Sequence, residues 1–208
     1  MEGAMRRRQY HLLVHGVTLA GMTALFPAKS LDSARYAQTF AVFISRSHEY
    51  PAMLDRLAVA TSDLRDGFAC LDVGAGDGMM IRDWLARGGN RPGRYVAIEP
   101  IAVHAAALRQ TLSAIDIPSE VAEAPFHPEF AISDVFDFAL FSHSLYWMPQ
   151  ATACVQRAFK SLSPGGRLLA FLQCPFGDHP MYRLFDPLLQ RDRPPGADHG
   201  FSSHELVQ

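Results

Sequence analysis

The stretch that decides the fold is Leu71-Asp72-Val73-Gly74-Ala75-Gly76-Asp77-Gly78. A short apolar run, residues 68–73, leads into it and is typical of a buried strand. Residues 79–86 follow with a helical pattern that ends at Gly88-Gly89. A strand, a glycine-rich turn and a helix in this order predict a βαβ unit whose turn approaches a ligand.

The spacing of the glycines, together with two acids, indicates the kind of ligand. The dinucleotide fingerprint G-x-G-x-x-G needs its third glycine at position 79, where Met79 stands. Asp72 and Asp77 place carboxylates beside the turn, and these would oppose a pyrophosphate at the helix N-terminus. A ligand with positive charge and no phosphate suits them better. The pattern therefore favours S-adenosylmethionine, with its sulfonium and ammonium groups, over ATP or NAD.

Strand and helix patterns continue to alternate after the turn. This alternation predicts a doubly wound, mostly parallel α/β sheet with right-handed crossovers. Ligands of such sheets bind beyond the carboxyl ends of the strands, so the loops at 74–78, 99–100 and 142–148 are expected to share one crevice. The further strands are predicted at 94–99, 119–123, 136–141 and 167–173, the further helices at 101–112 and 151–162, and a turn at 163–166.

Glu99 closes the second predicted strand. A carboxylate at that point can accept hydrogen bonds from both ribose hydroxyls of an adenosine ligand. Since any adenosine ligand would satisfy it, Glu99 supports the glycine turn without distinguishing among such ligands.

The amino-acid composition limits the number of domains and the kinds of partner and metal site to expect. The chain has 208 residues, 49% of them apolar, and a net charge of −2, which indicates one globular domain and no nucleic-acid partner. Cys70, Cys154 and Cys174 stand far apart, which fits a reducing, cytoplasmic compartment. The nine histidines show no metal-ligand spacing, so no metal is expected.

The N-terminal part divides into two predicted segments. The apolar stretch Leu12–Phe26 is shorter than the roughly 20 residues that a membrane span needs. It follows Arg6–Arg8, so residues 1–32 are either a leader, with a secretion signal as one reading, or an N-terminal helix. Residues 33–208 are predicted as the main domain, with a helical lid at 33–62, a cofactor-binding core at 66–176 and a C-terminal helical segment at 177–208.

The motifs together resemble a class I S-adenosylmethionine-dependent methyltransferase. The resemblance rests on LDVGAGDG, AIEP, FDFALFSHSLYWM and LSPGGRLLAF. The earlier stretch RYAQTFAVFISRSHEYPAM further resembles the opening of the histamine N-methyltransferase-like group. The matching positions in that opening are Tyr36, Phe40, Phe43, Ser47, Glu49 and Met53.

The resemblance implies which residues contact the cofactor. Asp72 would brace the loop or meet the methionine ammonium through water, and Glu123 would flank the adenine beside Ala124. Tyr36 and Phe40 would close a lid over the cofactor, with plain helix packing as the alternative. The other implied cofactor-binding residues are Gly74, Ala75, Gly76, Glu99, Pro100 and Ser142.

The resemblance also implies which residues face the acceptor. Glu49 corresponds to a carboxylate that meets the substrate amine, unless it is simply an exposed helical acid. His143 is either a general base or acceptor contact, or a structural histidine at the sheet edge. It stands where that group has a polar amide, which points away from histamine itself. Tyr146 and Trp147 would line the acceptor pocket or pack in the core.

Two further expectations concern the whole protein. The full fold ends in a two-strand hairpin that this sequence does not reach, so the sheet edge would be bare. Truncation, completion by a second copy or partner chain, and a shortened relative all account for that. The predicted function is methyl transfer to a nitrogen or oxygen of a small molecule. The alternative is a cofactor-binding protein that transfers no methyl, either a regulatory subunit or a rearrangement or cyclisation catalyst.

Overall fold

The computed structural model describes Val42 and residues 48–172. Helices and strands alternate along this part of the chain as the sequence predicts. The helices are α1 (Glu49–Thr61), α2 (Met79–Ala86), α3 (Ala102–Ala114) and α4 (Ala151–Lys160), with a 3₁₀ turn at Leu145–Trp147. The strands are β1 (Ala69–Val73), β2 (Arg94–Ile98), β3 (Ser119–Ala122), β4 (Phe136–Ser142) and β5 (Leu162–Phe171).

The five strands form one sheet in the order β3-β2-β1-β4-β5, and every pair of neighbours is parallel. The chain moves outward from β1 to β3 and then returns to the other side of β1 with β4. The strand order therefore reverses between β1 and β4, which is where doubly wound sheets bind ligands. The fold class predicted from the sequence is confirmed.

Apolar side chains cover both faces of the sheet. Because side chains alternate along a strand, Cys70 of β1 faces one layer while Leu71 faces the other. The first layer holds α1, α2 and α3 and buries Trp84. The second layer holds α4 and buries Phe126 from the loop before β4. The three-layer packing fixes the carboxyl ends of β1, β2 and β4 relative to one another.

The predicted turn at 163–166 is instead part of β5. Phe136 pairs with Leu162, and Phe138 pairs with Arg167, so β5 carries extra residues opposite β4. Pro164 has no N–H to donate, and Gly165 has a φ of 88°, so this part of the strand bulges rather than turning back. The prediction of a turn at these residues is therefore wrong, because the strand continues through them.

Other predicted boundaries fall within a few residues of the observed ones. Pro51 lies in the first turn of α1, where the backbone N–H has no intrahelical acceptor and its absence costs nothing. Of the predicted lid at 33–62, α1 packs into the first apolar layer through Met53, Leu54 and Leu57. Among the described residues β5 lies at the sheet edge, and none of their helices is long and apolar enough to cross a membrane.

Candidate functional site

The loops after β1 and β2 are joined by one buried carboxylate. Glu99 Oε2 accepts a hydrogen bond from the Gly76 N–H at 2.9 Å, and Oε1 accepts one from the Ile101 N–H at 3.0 Å. Both donors are backbone groups, so Glu99 fixes the path of the glycine turn. The Gly74 N–H adds a bond of 2.7 Å to the carbonyl of Ile98. A carboxylate has about four acceptor positions, so Glu99 keeps capacity for further donors.

The loops after β1 and β4 touch at Gly74. Its φ is 76°, and a Cβ added there would lie 2.3 Å from the Cβ of Ser144. Ser144 is buried, and its hydroxyl donates to the carbonyl of Val73 at 2.6 Å. Gly74 is therefore required by the protein itself, because any side chain would force the two loops apart.

Gly76 differs from Gly74 in what surrounds it. Its φ is 60°, and a Cβ added there would meet none of the described residues within 4 Å. The backbone of Gly76 thus borders open space beside the Glu99 carboxylate, where a ligand could approach closely. Ala75, between the two glycines, is half-buried against the first apolar layer.

Asp77 lies just before helix α2, whose N-cap residue is Gly78. Its Oδ1 accepts a hydrogen bond from the Met79 N–H at 3.0 Å, and its carbonyl accepts one from Thr111 at 2.9 Å. Negative charge at a helix N-terminus is stabilised by the helix dipole. Asp77 therefore occupies the position that a phosphate would take in a dinucleotide-binding fold.

Asp72 is buried beneath the glycine turn. Its Oδ2 accepts a short hydrogen bond from the Tyr95 hydroxyl, while Oδ1 is buried and has no hydrogen-bond partner among the described residues. Burial raises the pKa of Asp72 from 3.8 to about 7; the Tyr95 bond opposes this shift, and the nearby Glu99 charge adds to it. A cationic group next to Oδ1 would offset much of the free-energy cost of burying the Asp72 carboxylate.

Glu49, His143 and Tyr146 meet beside this turn. Nε2 of His143 lies 3.2 Å from Oε1 of Glu49, and Nδ1 lies 3.0 Å from the Tyr146 hydroxyl. Glu49 is thus mostly buried rather than an exposed helical acid. Trp147, predicted to line an acceptor pocket or to pack in the core, is 77% exposed.

The remaining predicted site residues lie around these two clusters. Glu123 is exposed and pairs with Arg109 at 3.2 Å. Pro100 is exposed after β2, and Ser142 is half-buried at the end of β4. Tyr36 and Phe40 lie outside the described residues. No group of three or more potential metal ligands occurs among residues 48–172 or at Val42.

Three residues at the site were not singled out from the sequence. Tyr95 and Asp72 both point to the first apolar layer, which strand alternation suggests, but their contact depends on the strand register. Ser144 packs against Gly74 and donates to Val73, contacts that depend on how the loops after β1 and β4 meet. His104, whose Nδ1 lies 3.9 Å from Glu99 Oε1, is one of nine histidines with nothing in the sequence to distinguish it.

The described residues fit an adenosine ligand with a cationic tail. Glu99 offers acceptors for hydroxyl groups, Gly76 leaves room for close approach, and the orphaned oxygen of Asp72 lacks a positive partner. Asp77 disfavours a phosphate at α2.

Residues 71–170 match a family model described as a methyltransferase domain. The match begins at β1 and ends within β5, so it contains the glycine turn, Glu99 and the His143 loop. A comparison with curated proteins finds no match.

Solved structures resemble a larger part of this chain than residues 71–170. The N-methyltransferase NodS from Bradyrhizobium japonicum, solved with S-adenosylhomocysteine, is 14% identical with a TM-score of 0.55, over 72% of this chain and 75% of NodS. The plantazolicin methyltransferase BpumL, also with S-adenosylhomocysteine, is 10% identical with a TM-score of 0.54, over 76% of this chain and 58% of BpumL.

The match to a third structure is weaker. The [4+2]-cyclase SpnF is 21% identical with a TM-score of 0.48, over 59% of this chain and 44% of SpnF, too distant to argue for a reaction. This chain thus spans about half the length of two of the three structures. At these identities the likeness shows the Rossmann-like methyltransferase fold.

Proposed function

We propose that this protein transfers a methyl group from S-adenosylmethionine to a nitrogen or oxygen of a small molecule. The observation that carries the proposal is the glycine turn, in which Gly76 borders open space while Glu99 holds its N–H at 2.9 Å. The methyltransferase domain match over residues 71–170 supports it.

Charge at the turn supports a sulfonium ligand over a phosphorylated one. The Asp77 carboxylate occupies the N-terminus of α2, and Asp72 and Glu99 are acids buried close by. A pyrophosphate placed there would meet the exposed carboxylate of Asp77 and the buried acids Asp72 and Glu99, and like charges repel strongly where burial lowers the dielectric constant. A ligand with an ammonium and a sulfonium would be attracted by the same groups.

Each cofactor residue has a proposed task. The free acceptor positions of Glu99 would bind the ribose hydroxyls, and the buried Oδ1 of Asp72 would attract the methionine ammonium, directly or through water. Ser142 would border the methionine portion. Pro100 and Glu123 would flank the adenine, with Tyr36 and Phe40 closing over it.

The protein's part in the reaction is chiefly alignment and exclusion of water. S-adenosylmethionine, when bound, supplies an activated methyl group on a positively charged sulfur. Holding the acceptor in line with that methyl can contribute up to roughly 7–11 kcal/mol through orientation alone. The tight contact of Gly74 with Ser144 keeps the loops after β1 and β4 in a fixed relation, as such alignment requires.

The acceptor is proposed to be a small amine, imidazole or phenol. The resemblance of residues 36–53 to the histamine N-methyltransferase-like group supports this range. His143 in place of a polar amide is the reason for not proposing histamine itself.

Calorimetry with the ligand-free protein tests the cofactor. S-adenosylmethionine and S-adenosylhomocysteine should bind, whereas NAD and ATP should give no heat of binding. Binding of NAD in preference to S-adenosylmethionine would contradict the proposal. Mass spectrometry should then detect S-adenosylhomocysteine and a product heavier by one methylene when amines, imidazoles and phenols are supplied as acceptors.

A pair of matched variants locates the binding site. Asp72→Asn should weaken S-adenosylmethionine binding at least tenfold, because the buried acceptor loses its charge. Asp137→Asn is the control. Asp137 lies at the opposite end of β4, where it accepts hydrogen bonds from the Ala69 N–H and from Ser163, each at 3.0 Å. Equal losses in both variants would place the cofactor away from the glycine turn.

A further inference from the structure

Three side chains from two separate parts of the chain form a continuous polar row next to the proposed cofactor site. Glu49 is the first residue of α1, His143 directly follows β4, and Tyr146 lies in the 3₁₀ turn. The imidazole lies between the other two, with Nε2 3.2 Å from the carboxylate and Nδ1 3.0 Å from the phenol oxygen. Both ring nitrogens therefore face a polar partner.

The backbone holds the imidazole in this position. His143 has a φ of 54°, a left-handed conformation that few residues other than glycine adopt. Its N–H donates to the carbonyl of Phe171 at 3.1 Å, which ties the residue to β5. The rings of His143 and Tyr146 also stack, with centroids 5.9 Å apart and planes inclined by 27°. The strained backbone and the stacking together aim the ring between its two partners.

The chemistry of the partners determines where the protons lie. The 3.2 Å contact between Nε2 and Oε1 of Glu49 is an electrostatic contact outside hydrogen-bond geometry. A nitrogen lone pair there would face a negatively charged oxygen, so the nitrogen facing Glu49 carries the hydrogen. In neutral His143 the proton is then on Nε2, and Nδ1 accepts. The Tyr146 hydroxyl is consequently the donor to Nδ1. The row runs in one direction, from the phenol O–H through the imidazole to the carboxylate.

We propose that Glu49, His143 and Tyr146 form a proton relay that deprotonates the methyl acceptor, an inference that rests on the proposed methyl transfer. The acceptor's proton passes to the Tyr146 oxygen as the Tyr146 proton passes to Nδ1 of His143. The acceptor lone pair forms the new bond to the methyl carbon, and the carbon–sulfur pair stays on sulfur. The resulting imidazolium is stabilised by Glu49, and its proton later leaves to solvent.

The burial of the row assigns its two ends. Oε1 of Glu49 is fully buried, and the side chain is only 10% exposed, so this end is closed. Tyr146 is half-buried and lies two residues after Ser144, which packs against Gly74 of the glycine turn. The acceptor therefore meets the relay at Tyr146. Tyr146 is the catalytic residue, and Glu49 is a positioning residue rather than a reader of substrate charge.

Nuclear magnetic resonance tests the relay in the full chain without cofactor or acceptor. The His143 signals are those lost in His143→Asn, a residue that tolerates the left-handed backbone. The Nε2 proton of His143 should exchange with water slowly. In the exposed pair His127–Glu129, 3.4 Å apart, the ring proton should exchange fast. A His143 proton on Nδ1, or one that exchanges as fast as that of His127, would overturn the relay.

Two variants test each link of the row. Tyr146→Phe removes the donor to Nδ1, so it should move the Nδ1 resonance and leave the Nε2 proton protected. Glu49→Gln should instead make the Nε2 proton of His143 exchange faster and leave the Nδ1 resonance in place. Glu129→Gln should change neither signal of His143. An Nδ1 resonance that does not move in Tyr146→Phe contradicts the proposal.

A pair of phenol acceptors tests the proton step itself. Phenol must lose a proton to react, whereas 4-nitrophenol is already ionised at about pH 8. A general base typically contributes 10²–10⁴-fold, so Tyr146→Phe should lower kcat/KM for phenol by about 100-fold and for 4-nitrophenol by less than about threefold. Glu49→Gln should lower kcat/KM for phenol by about tenfold and change the value for 4-nitrophenol much less. Equal losses for both acceptors would show that these residues only support the structure.

The failure of the relay is distinguishable from the failure of the proposed function. Absence of S-adenosylmethionine binding in the wild type, or binding without methylation of any acceptor, would contradict the proposed function. The magnetic resonance results do not depend on either outcome. A functional methyltransferase whose His143 lacks the protected Nε2 proton would keep the proposed function and eliminate the relay.

Discussion

Gly74 and Gly76 share left-handed backbones but differ in their surroundings. Gly74→Ala adds a methyl group 2.3 Å from Ser144 Cβ, whereas Gly76→Ala adds one that has no neighbour within 4 Å in the part of the chain that the structure describes. The left-handed conformation alone costs an alanine roughly 1–2 kcal/mol. Gly76→Ala should lose about that much stability, and Gly74→Ala clearly more. Urea unfolding of the ligand-free variants measures both.

The effect of Gly76→Ala on cofactor binding should be larger than its effect on stability. Gly76→Ala places its methyl group where we propose that the ligand approaches, so calorimetry should show much weaker binding of S-adenosylmethionine despite the modest loss of stability. If Gly76→Ala bound the cofactor as well as the wild type, the ligand would not approach the turn at this residue.

Asp72 should make stability depend on pH. Its folded pKa of about 7 lies above the ordinary 3.8, so between these values the folded protein holds a proton that the unfolded chain has lost. Stability therefore falls as pH rises through this window and levels off above it. Asp72→Asn cannot ionise. Relative to the wild type it should gain up to roughly 2–3 kcal/mol between pH 5 and pH 7.

Urea unfolding at several pH values, without cofactor, measures this difference. Glu99 and Tyr95 remain in both proteins, so the comparison isolates the Asp72 carboxyl. A constant difference from pH 5 to pH 8 would show that Asp72 ionises at its ordinary pKa despite its burial.

At the scale of elements, Arg157 connects α4 to the loop between β3 and β4. Its side chain donates to the carbonyls of Phe130 and Ile132 at 2.9 and 3.2 Å. Arg157→Met retains most of the apolar stem and removes both donors. Hydrogen exchange should become faster at residues 126–134 and stay unchanged in α2. No local increase in exchange would mean that the ring packing of Phe126 and Phe130, 5.4 Å apart, suffices to hold the loop.

The sequence predicted most elements because their signals are local. Met79–Ala86 was predicted with its observed bounds, since the glycine turn precedes it and Gly88 follows it. β5 was placed too late, because Pro164 and two glycines signal a turn wherever they occur. Whether such residues reverse the chain or bulge within a strand depends on the neighbouring strand, and β4 keeps β5 in the sheet.

The candidate site was predictable to a similar extent. Strand ends supplied Glu99 and the His143 loop, because all parallel strands end at one edge. The contact between Glu49 and His143 was not predictable, because it depends on how α1 packs against the sheet. The hydrogen bond between Tyr95 and Asp72 was not predictable either, because it depends on the register of β1 against β2.

At the scale of the whole molecule, the sheet is stabilised from both faces, and Phe138 lies at the centre of the first layer. It is fully buried and meets Phe68 edge to face, with ring centroids 6.4 Å apart. Phe138→Ala should lower the free energy of unfolding by about 3–5 kcal/mol. Phe130→Ala, at a half-buried position outside the sheet, should cost less in the same urea experiment. Similar losses of stability in the two variants would mean that neighbouring side chains fill the cavity left by the Phe138 ring.

Glu99 gives the molecule a lasting constraint. Its two oxygens already hold the backbone of two loops before any ligand arrives. Changing residue 99 in order to alter ligand preference would therefore remove the anchors of both loops at the same time. A successful redesign would have to supply new anchors for Gly76 and Ile101 first, and only then alter what the cavity recognises.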